Sequence, residues 1–143
     1  MKTACPPDLN PVDALVQLSF LVQALLARLA APRELSLVQV RLLGVLRDRT
    51  PGMLELATVL GLDKSSVTGL VDRAERRGLV KRSFGEDDRR AVFVSLTPAG
   101  RSLAAAFTKE VARDIEALLS GLPVAARERL TAIANQILAG ASA

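Results

Sequence analysis

The fold is decided by the stretch MLELATVLGLDKSSVTGLVDRAERRGLVKRSFGEDDRRAVFVSL, which covers residues 53–96. Its first part predicts two helices, over about 53–60 and 64–77. Gly61 supplies the turn between them, and Asp63 is a typical N-cap residue for the second helix. The sequence therefore predicts a short helix, a tight turn and a second helix in direct succession.

The hydrophobic period changes after Gly78, and residues 79–84 predict a strand. Residues 85–88, Gly-Glu-Asp-Asp, have the composition of a turn, and residues 91–96 alternate as a half-buried strand does. The two strands form a hairpin with a charged tip. Two helices followed by such a hairpin are typical of a winged helix-turn-helix, in which the second helix enters the DNA major groove.

Further helices are predicted on both sides of this unit, and each begins at a recognisable start signal. The signals are Asn10-Pro11, a capping box at Ser36 and Gln39, Thr97-Pro98 and Leu122-Pro123. The predicted helices cover about 11–30, 36–49, 98–120 and 123–139. The expected fold class is mainly α with a small β-hairpin wing: a winged helix-turn-helix flanked by N- and C-terminal helices.

The predicted first helix is apolar on nearly every side and carries no charge from Ala14 to Ala27. That run is too short to cross a bilayer, and Asp8 and Asp13 stand where a signal peptide carries basic residues. We therefore expect a cytoplasmic protein with no membrane partner. A domain of this size can rarely surround a helix, so we expect a second copy of the chain to cover part of it.

Composition excludes several kinds of chemistry. The 143 residues include no His and one Cys, Cys5. The commonest general base and zinc ligand is therefore missing, and an intramolecular disulfide is impossible. The sequence has no GxxxxGKS/T, GxGxxG or GxSxG motif. We predict that the protein is not an enzyme and that it has no metal and no cofactor.

Positive charge is concentrated in one segment. Residues 64–101 hold nine basic and five acidic residues, a balance of +4, which equals the net charge of the whole chain. The other residues are balanced at ten basic against ten acidic. A neutral body with one positive segment indicates a polyanionic partner, whereas the alternative is a solvated, charged helix face.

The predicted helix over 64–77 has an outward face suited to DNA. On a helical wheel Val67, Leu70, Val71 and Ala74 share the core face, and small residues occupy the N-terminal half of the opposite face. Small side chains let a helix backbone approach base edges, and hydroxyls can bond phosphates or bases. Gly69 costs about 1 kcal/mol relative to Ala within a helix, and close approach to DNA would explain it. The alternative is an amphipathic core helix with a random polar side. The candidate DNA-binding residues of this helix are Lys64, Ser65, Ser66, Thr68, Gly69, Arg73, Arg76 and Arg77.

Three details of this helix carry separate expectations. Arg76 is the best placed arginine, for guanine or for phosphate. Arg77 points sideways and can equally pair within the protein. The free N–H groups that follow Asp63 are expected to form a weak anion site for a phosphate.

The hairpin tip carries Asp88, Arg89 and Arg90, the remaining candidate DNA-binding residues. Two arginines on a projecting turn suit a narrow minor groove, where the negative potential is enhanced. We expect Asp88 to pair with an arginine and fix its direction. The alternative is a polar turn that only maintains solubility.

Several of these segments resemble the winged-helix core of the MarR (multiple antibiotic resistance regulator) family. The resemblance rests on residues 54–68, 70–73, 77–80 and the Asp-Arg-Arg at 88–90 with the pattern that follows it to Gly100. It implies a homodimeric bacterial transcription regulator, commonly a repressor, that binds a pseudo-palindromic operator in double-stranded DNA. It also implies that Arg90 enters the minor groove and that Asp88 orients it.

The resemblance further implies a division of the chain into three parts. Residues 1–35 and 98–143 would form the dimerisation helices, and residues 36–97 the DNA-binding domain. A small-molecule effector, held between these parts, often releases such regulators from DNA. The short connection at residues 31–35 predicts a smaller effector pocket, and the absence of Tyr and Trp argues against stacking on an aromatic effector.

Two branches of the family are disfavoured. The lack of His argues against a zinc-responsive protein. The peroxide-sensing branch has a reactive Cys within its first helix, assisted by tyrosines, whereas Cys5 precedes that helix and the chain has no Tyr. The alternative for Cys5 is a loose thiol. The competing function is a non-enzymatic winged-helix protein that binds nucleic acid or protein without sequence specificity.

Overall fold

The computed structural model describes residues 8–142, and Cys5 lies outside them. The elements are α1 (Pro11–Ala30), α2 (Leu37–Asp48), α3 (Met53–Leu60), α4 (Lys64–Arg76), β1 (Val80–Phe84), β2 (Val92–Leu96), α5 (Pro98–Leu119) and α6 (Val124–Ala141). A single 3-10 turn, Ala31–Arg33, follows α1. The predicted order of helices and strands is confirmed, and so is the mainly helical fold class with a two-stranded hairpin.

Local hydrogen bonds explain where these helices begin. Asn10 accepts hydrogen bonds from the N–H groups of Val12 and Asp13, and Thr97 accepts one from Gly100. Ser36 and Gln39 form both hydrogen bonds of the predicted capping box at the start of α2. These contacts satisfy backbone donors that have no partner inside a helix.

The turn between α3 and α4 is built on Gly61, whose φ of 66° is left-handed. Its N–H donates back to the last turn of α3, to the carbonyls of Ala57 and Thr58. A residue with a Cβ is strained in this conformation. The glycine thereby fixes the angle at which α4 leaves α3.

A hydrophobic core lies beneath α4 and holds the helix pair and the hairpin together. The predicted core face of α4 is confirmed, because Val67, Leu70, Val71 and Ala74 are all buried. Side chains from α2, α3, the hairpin and α5 complete this core. They include Leu42, Leu43, Leu46, Leu56, Leu60, Val80, Val94, Leu96, Ala104 and Phe107.

The hairpin is antiparallel, with Val80 opposite Leu96 and Phe84 opposite Val92. Each strand begins one residue later than predicted. The Leu79 N–H donates to the Ala74 carbonyl at the end of α4, and the Ala91 N–H donates to Asp88 within the tip. Both groups are therefore used by turns and not by the strand ladder.

The start of α5 packs directly against the residue that precedes β1. Gly100 is buried, and a Cβ built there would overlap the carbonyl oxygen of Leu79. Thr97 reinforces the contact, because its hydroxyl donates to the Gly78 carbonyl. The hairpin and α5 are thus joined through backbone at close range.

Helix α1 is mainly exposed in the isolated chain, not buried on every side. Leu15, Leu18 and Phe20 are 55%, 51% and 60% exposed, and α6 buries no residue within the described chain. The helical stretch Pro11–Arg33 is 23 residues long, so by length and composition it could cross a membrane, and only 11% of its most apolar window is buried. The uncharged run from Ala14 to Ala27, which was judged too short to cross a bilayer, stops before Arg28, whereas the helical stretch continues past that residue.

Candidate nucleic-acid interface

The outward face of α4 is accessible along its whole length. Lys64, Ser65, Ser66, Thr68, Arg73, Arg76 and Arg77 are exposed, and Gly69 is half-buried. The Thr68 hydroxyl donates to the Lys64 carbonyl at 2.8 Å, so its proton is committed to the helix. Because Thr68 is exposed, its methyl group can contact a base and its hydroxyl oxygen can accept a hydrogen bond.

The absence of a side chain at Gly69 leaves room for Arg73. A Cβ built on Gly69 would lie 3.3 Å from Nη1 of Arg73, one turn further along the helix. The guanidinium therefore lies against the bare backbone of α4. Positive charge therefore lies at the middle of α4.

The N-terminus of α4 is not a free anion site, contrary to expectation. The Asp63 carboxylate accepts a hydrogen bond from the Ser66 N–H at 2.6 Å. This backbone hydrogen bond and one from the Ser66 hydroxyl hold the pKa of Asp63 below its ordinary value. The carboxylate is therefore ionised at neutral pH, and a phosphate approaching these N–H groups would meet its negative charge.

The two carboxylates of α4 are both paired with an arginine of the wing. Nη2 of Arg82 lies 2.5 Å from Oδ1 of Asp72, and its Nη1 lies 3.0 Å from Oε1 of Glu75. The Arg82 N–H also donates to Glu75 at 3.2 Å. This arrangement offsets two negative charges beside the outward face of α4 and ties β1 to α4. Sequence reasoning missed it, although Asp72 and Glu75 stand three residues apart on one helix edge.

Arg77 is used inside the protein, one of the two alternatives that its sideways position allowed. Its guanidinium donates to the carbonyls of Arg33 at 2.8 Å and Glu34 at 3.0 Å. These carbonyls belong to the connection between α1 and α2. Arg77 therefore anchors the C-terminal end of α4, and its charge remains on that edge.

The wing tip presents its two arginines on a tight turn. The Ala91 N–H donates to the Asp88 carbonyl at 3.1 Å, which places Arg89 and Arg90 at the centre of the turn, both exposed. The Asp88 carboxylate accepts from the Arg90 backbone N–H at 2.9 Å. The expected ion pair between Asp88 and an arginine side chain does not occur within residues 8–142. Asp88 instead shapes the backbone, because its short side chain reaches the N–H two residues ahead more readily than the distant guanidinium.

A second feature lies away from α4, between α1, α2 and α5. A cavity of about 170 Å³ is lined by apolar side chains that include Leu26, Val40, Leu43, Phe107 and Val111. Beside it, Arg33 makes a two-pronged pair with Glu110, at 2.7 and 3.1 Å, with its guanidinium 5.7 Å from the centre of the Phe107 ring. The hydrogen bond from Arg33 holds the pKa of Glu110 below its ordinary value. The cavity is smaller than a typical pocket for a drug-sized ligand.

Comparison with known proteins gives a consistent result. The sequence model of the MarR family matches residues 34–91. The HTH-type transcriptional repressor NicR of Pseudomonas putida is 32% identical over 127 residues, which cover 83% of this chain and 80% of NicR. The uncharacterized HTH-type transcriptional regulator YfiV of Bacillus subtilis is 38% identical over 71 residues, but these cover 49% of this chain and less than half of YfiV, 44%.

The fold is also shared with a solved structure. The crystal structure of NadR in complex with 4-hydroxyphenylacetate superposes with a TM-score of 0.78 over 96% of each chain, at 24% identity. At that identity the likeness concerns the fold alone.

Proposed function

The chain belongs to the MarR family of winged-helix transcription regulators, and from that premise we propose that it binds a pseudo-palindromic operator as a homodimer and represses transcription. The observation that carries the proposal is the accessible face of α4. Its side chains are small in the N-terminal half, and it is flanked by Lys64, Arg73 and Arg76, which form no ion pair within residues 8–142. In this proposal α4 reads the major groove through Ser65, Thr68 and Gly69. The residues that would contact DNA around them are Lys64, Ser66, Arg73, Arg76, Arg89 and Arg90.

The positive charges have different proposed roles. Arg76 contacts guanine or phosphate from the exposed end of α4, whereas Arg90 enters the minor groove from the wing. Asp88 positions Arg90 through the backbone hydrogen bond. Arg77 does not contact DNA in this proposal and attracts it only through its positive charge. Arg82 offsets the negative charges of Asp72 and Glu75. This supports the proposal, because uncompensated carboxylates on this face would repel DNA.

Selection of bound duplexes from a random pool tests sequence-specific binding. We expect an enriched inverted repeat, bound at least about a thousand-fold more tightly than unrelated duplex. Arg76→Ala and Arg90→Ala should each weaken binding to the recovered site. A pool with no enriched motif, and binding that disappears at moderate salt, would instead support the non-specific interaction protein.

The apolar surfaces of α1 and α6 support a homodimer. Leu18 and Phe20 on α1, and Ile133, Ile137 and Leu138 on α6, are between 49% and 65% exposed. A chain with this much apolar surface at both ends is expected to bury it against a second copy. The two α4 helices would then lie about 34–36 Å apart, which matches half-sites about one helical turn apart. The apolar α1 then serves the dimer and not a membrane, in accord with a cytoplasmic protein.

Sedimentation at micromolar concentration tests this assembly. The wild-type chain should sediment at twice the mass of one chain. Ile137→Glu should yield monomer and abolish operator binding, whereas Gln136→Glu, the same charge at the neighbouring exposed position, should not. A wild-type monomer that binds the full operator would contradict the proposed dimer.

Release by an effector is the third part of the proposal. NadR, which shares the fold, was crystallised with 4-hydroxyphenylacetate. The cavity beside Phe107 is the place where a small compound could bind between α1, α2 and α5 in this chain. A screen of small aromatic acids for release of the operator tests this, and Phe107→Leu should weaken the response to any active compound. A panel without an active compound, in a protein that binds its operator, would count against release by this class of molecule.

A further inference from the structure

An open pocket lies at the C-terminal end of α4, outside the half that reads bases. It has a volume of about 360 Å³ and is lined by Glu34, Gln39, Arg73, Arg76 and Arg77. Arg77 uses its guanidinium to hold the carbonyls of residues 33 and 34, so Arg73 and Arg76 are the lining arginines whose side chains make no hydrogen bond within residues 8–142. The pocket therefore offers donors from α4 on one wall and from α2 on the other.

The donor on α2 is the side-chain amide of Gln39. Its Oε1 accepts the Ser36 N–H at 2.8 Å in the capping box. Because this bond fixes which end of the amide faces the backbone, the NH₂ end is turned away from the Ser36 N–H. No partner for this NH₂ group is found among residues 8–142, and the residue lines the pocket beside Arg73 and Arg76.

The geometry points to a DNA backbone phosphate as the occupant of this pocket, held jointly by Gln39, Arg73 and Arg76. This inference rests on the proposed function. Two guanidinium groups and an amide NH₂ can only donate, so they fit a group that only accepts and carries negative charge. The walls of the major groove are phosphate strands, and a pocket beside the end of α4 faces such a strand when α4 lies in the groove.

Glu34 has the opposite effect in this pocket. It is the acidic residue of the lining, and its backbone is held in the left-handed region, with a φ of 54°. Its carboxylate would repel a bound phosphate. We therefore assign Glu34 the role of limiting affinity for DNA.

Two substitutions separate the phosphate contact from helix capping. Gln39→Glu keeps an oxygen for the Ser36 N–H, since Glu and Gln both serve in a capping box, but it removes the NH₂ donor and adds a negative charge. We expect unchanged thermal stability and about ten-fold weaker DNA binding. Glu34→Gln leaves the backbone carbonyl that Arg77 holds and should tighten binding several-fold.

Duplexes with single neutral methylphosphonates identify the phosphate involved. One position in each half-site should weaken wild-type binding about ten-fold and have no additional effect on Gln39→Glu. The assay is fluorescence anisotropy, on the selected operator and on unrelated duplex, because phosphate contacts act on any sequence.

Gln39→Glu binding within two-fold of wild type on both duplexes would overturn the inference. So would methylphosphonate effects of equal size in the wild type and in Gln39→Glu at every position. If no operator is selected, but Gln39→Glu still weakens binding to unrelated duplex, the proposed function is refuted and the phosphate pocket is supported.

Discussion

Replacement of Gly69 by Ala should make the protein more stable and a poorer DNA binder. Ala is better than Gly within a helix by about 1 kcal/mol. Apart from the adjacent residues and the helix's own backbone, the one heavy atom within 4 Å of the new Cβ in the described chain is Nη1 of Arg73, at 3.3 Å. This atom ends a long, exposed side chain and can shift by a few tenths of an ångström at little cost. The net gain should remain near 1 kcal/mol, or about 4 °C in Tm.

DNA binding should fall because the methyl group stands on the face of α4 that we propose approaches the bases. It displaces the Arg73 guanidinium from the backbone of α4 and holds the helix further from the groove floor. The loss of one well-made base contact costs about 1–3 kcal/mol, so we expect the complex with the selected operator to be weaker by about five-fold or more.

Gly44→Ala is the matched control for this experiment. Gly44 is exposed within α2, and a Cβ there meets nothing within 4 Å. It should give the same stabilisation with unchanged operator affinity. Thermal denaturation and anisotropy titrations on the three proteins provide both readouts. Equal operator affinity for Gly69→Ala and wild type would refute the close approach of α4 to DNA.

Three further perturbations test the packing and the charges around α4. Gly100→Ala should lower the free energy of unfolding by about 3 kcal/mol in denaturant titrations, because the new Cβ would overlap the backbone carbonyl of Leu79. A decrease below about 1 kcal/mol would contradict this tight packing. Arg82→Gln should weaken operator binding about ten-fold at low salt, because the Asp72 carboxylate is then no longer offset. Adding Asp72→Asn should restore part of the lost affinity. If it restores none, repulsion between this carboxylate and DNA is unimportant. Hydrogen bonds lower the pKa of Asp63 in the folded protein, so folding favours its ionised form. The stability that ionised Asp63 adds is therefore complete above its unfolded pKa near 3.8, and it is lost as pH falls through the lower folded pKa. Between about pH 5 and about pH 3 the wild type should therefore lose more stability than Asp63→Ser, which keeps a cap that does not titrate, and parallel losses would refute the role of ionised Asp63.

The helices and their limits could be predicted because the signals are local. A cap such as Asp63 acts on an N–H three residues away, and the turn at Gly61 requires only a backbone conformation that glycine favours. The buried side of α4 followed from the spacing of Val67, Leu70 and Val71, since residues three and four apart share one helix face. Such contacts form between neighbours in the chain, whatever the rest of the fold does.

The charged side chains of the candidate site were predicted less well. Asp88 was expected to pair with an arginine side chain but bonds to the backbone of Arg90. The N-terminus of α4 was expected to receive an anion, yet the Asp63 carboxylate already accepts the Ser66 N–H there. In both cases the carboxylate forms a hydrogen bond with a backbone N–H two or three residues ahead, in place of the expected arrangement.

By itself, the sequence determined the two helices, the hairpin, the positive segment and the excess of apolar surface in the first helix. Only the tertiary structure decided which charges remain available for DNA. Arg82 lies against Asp72 because β1 packs beside α4, and Arg77 reaches the connection after α1 because α4 ends there. Gln39 faces Arg76 because α2 and α4 pack on the same core. The partners of a long charged side chain depend on where a distant element is placed, and that placement is set by burial of the common core rather than by residues adjacent in the chain.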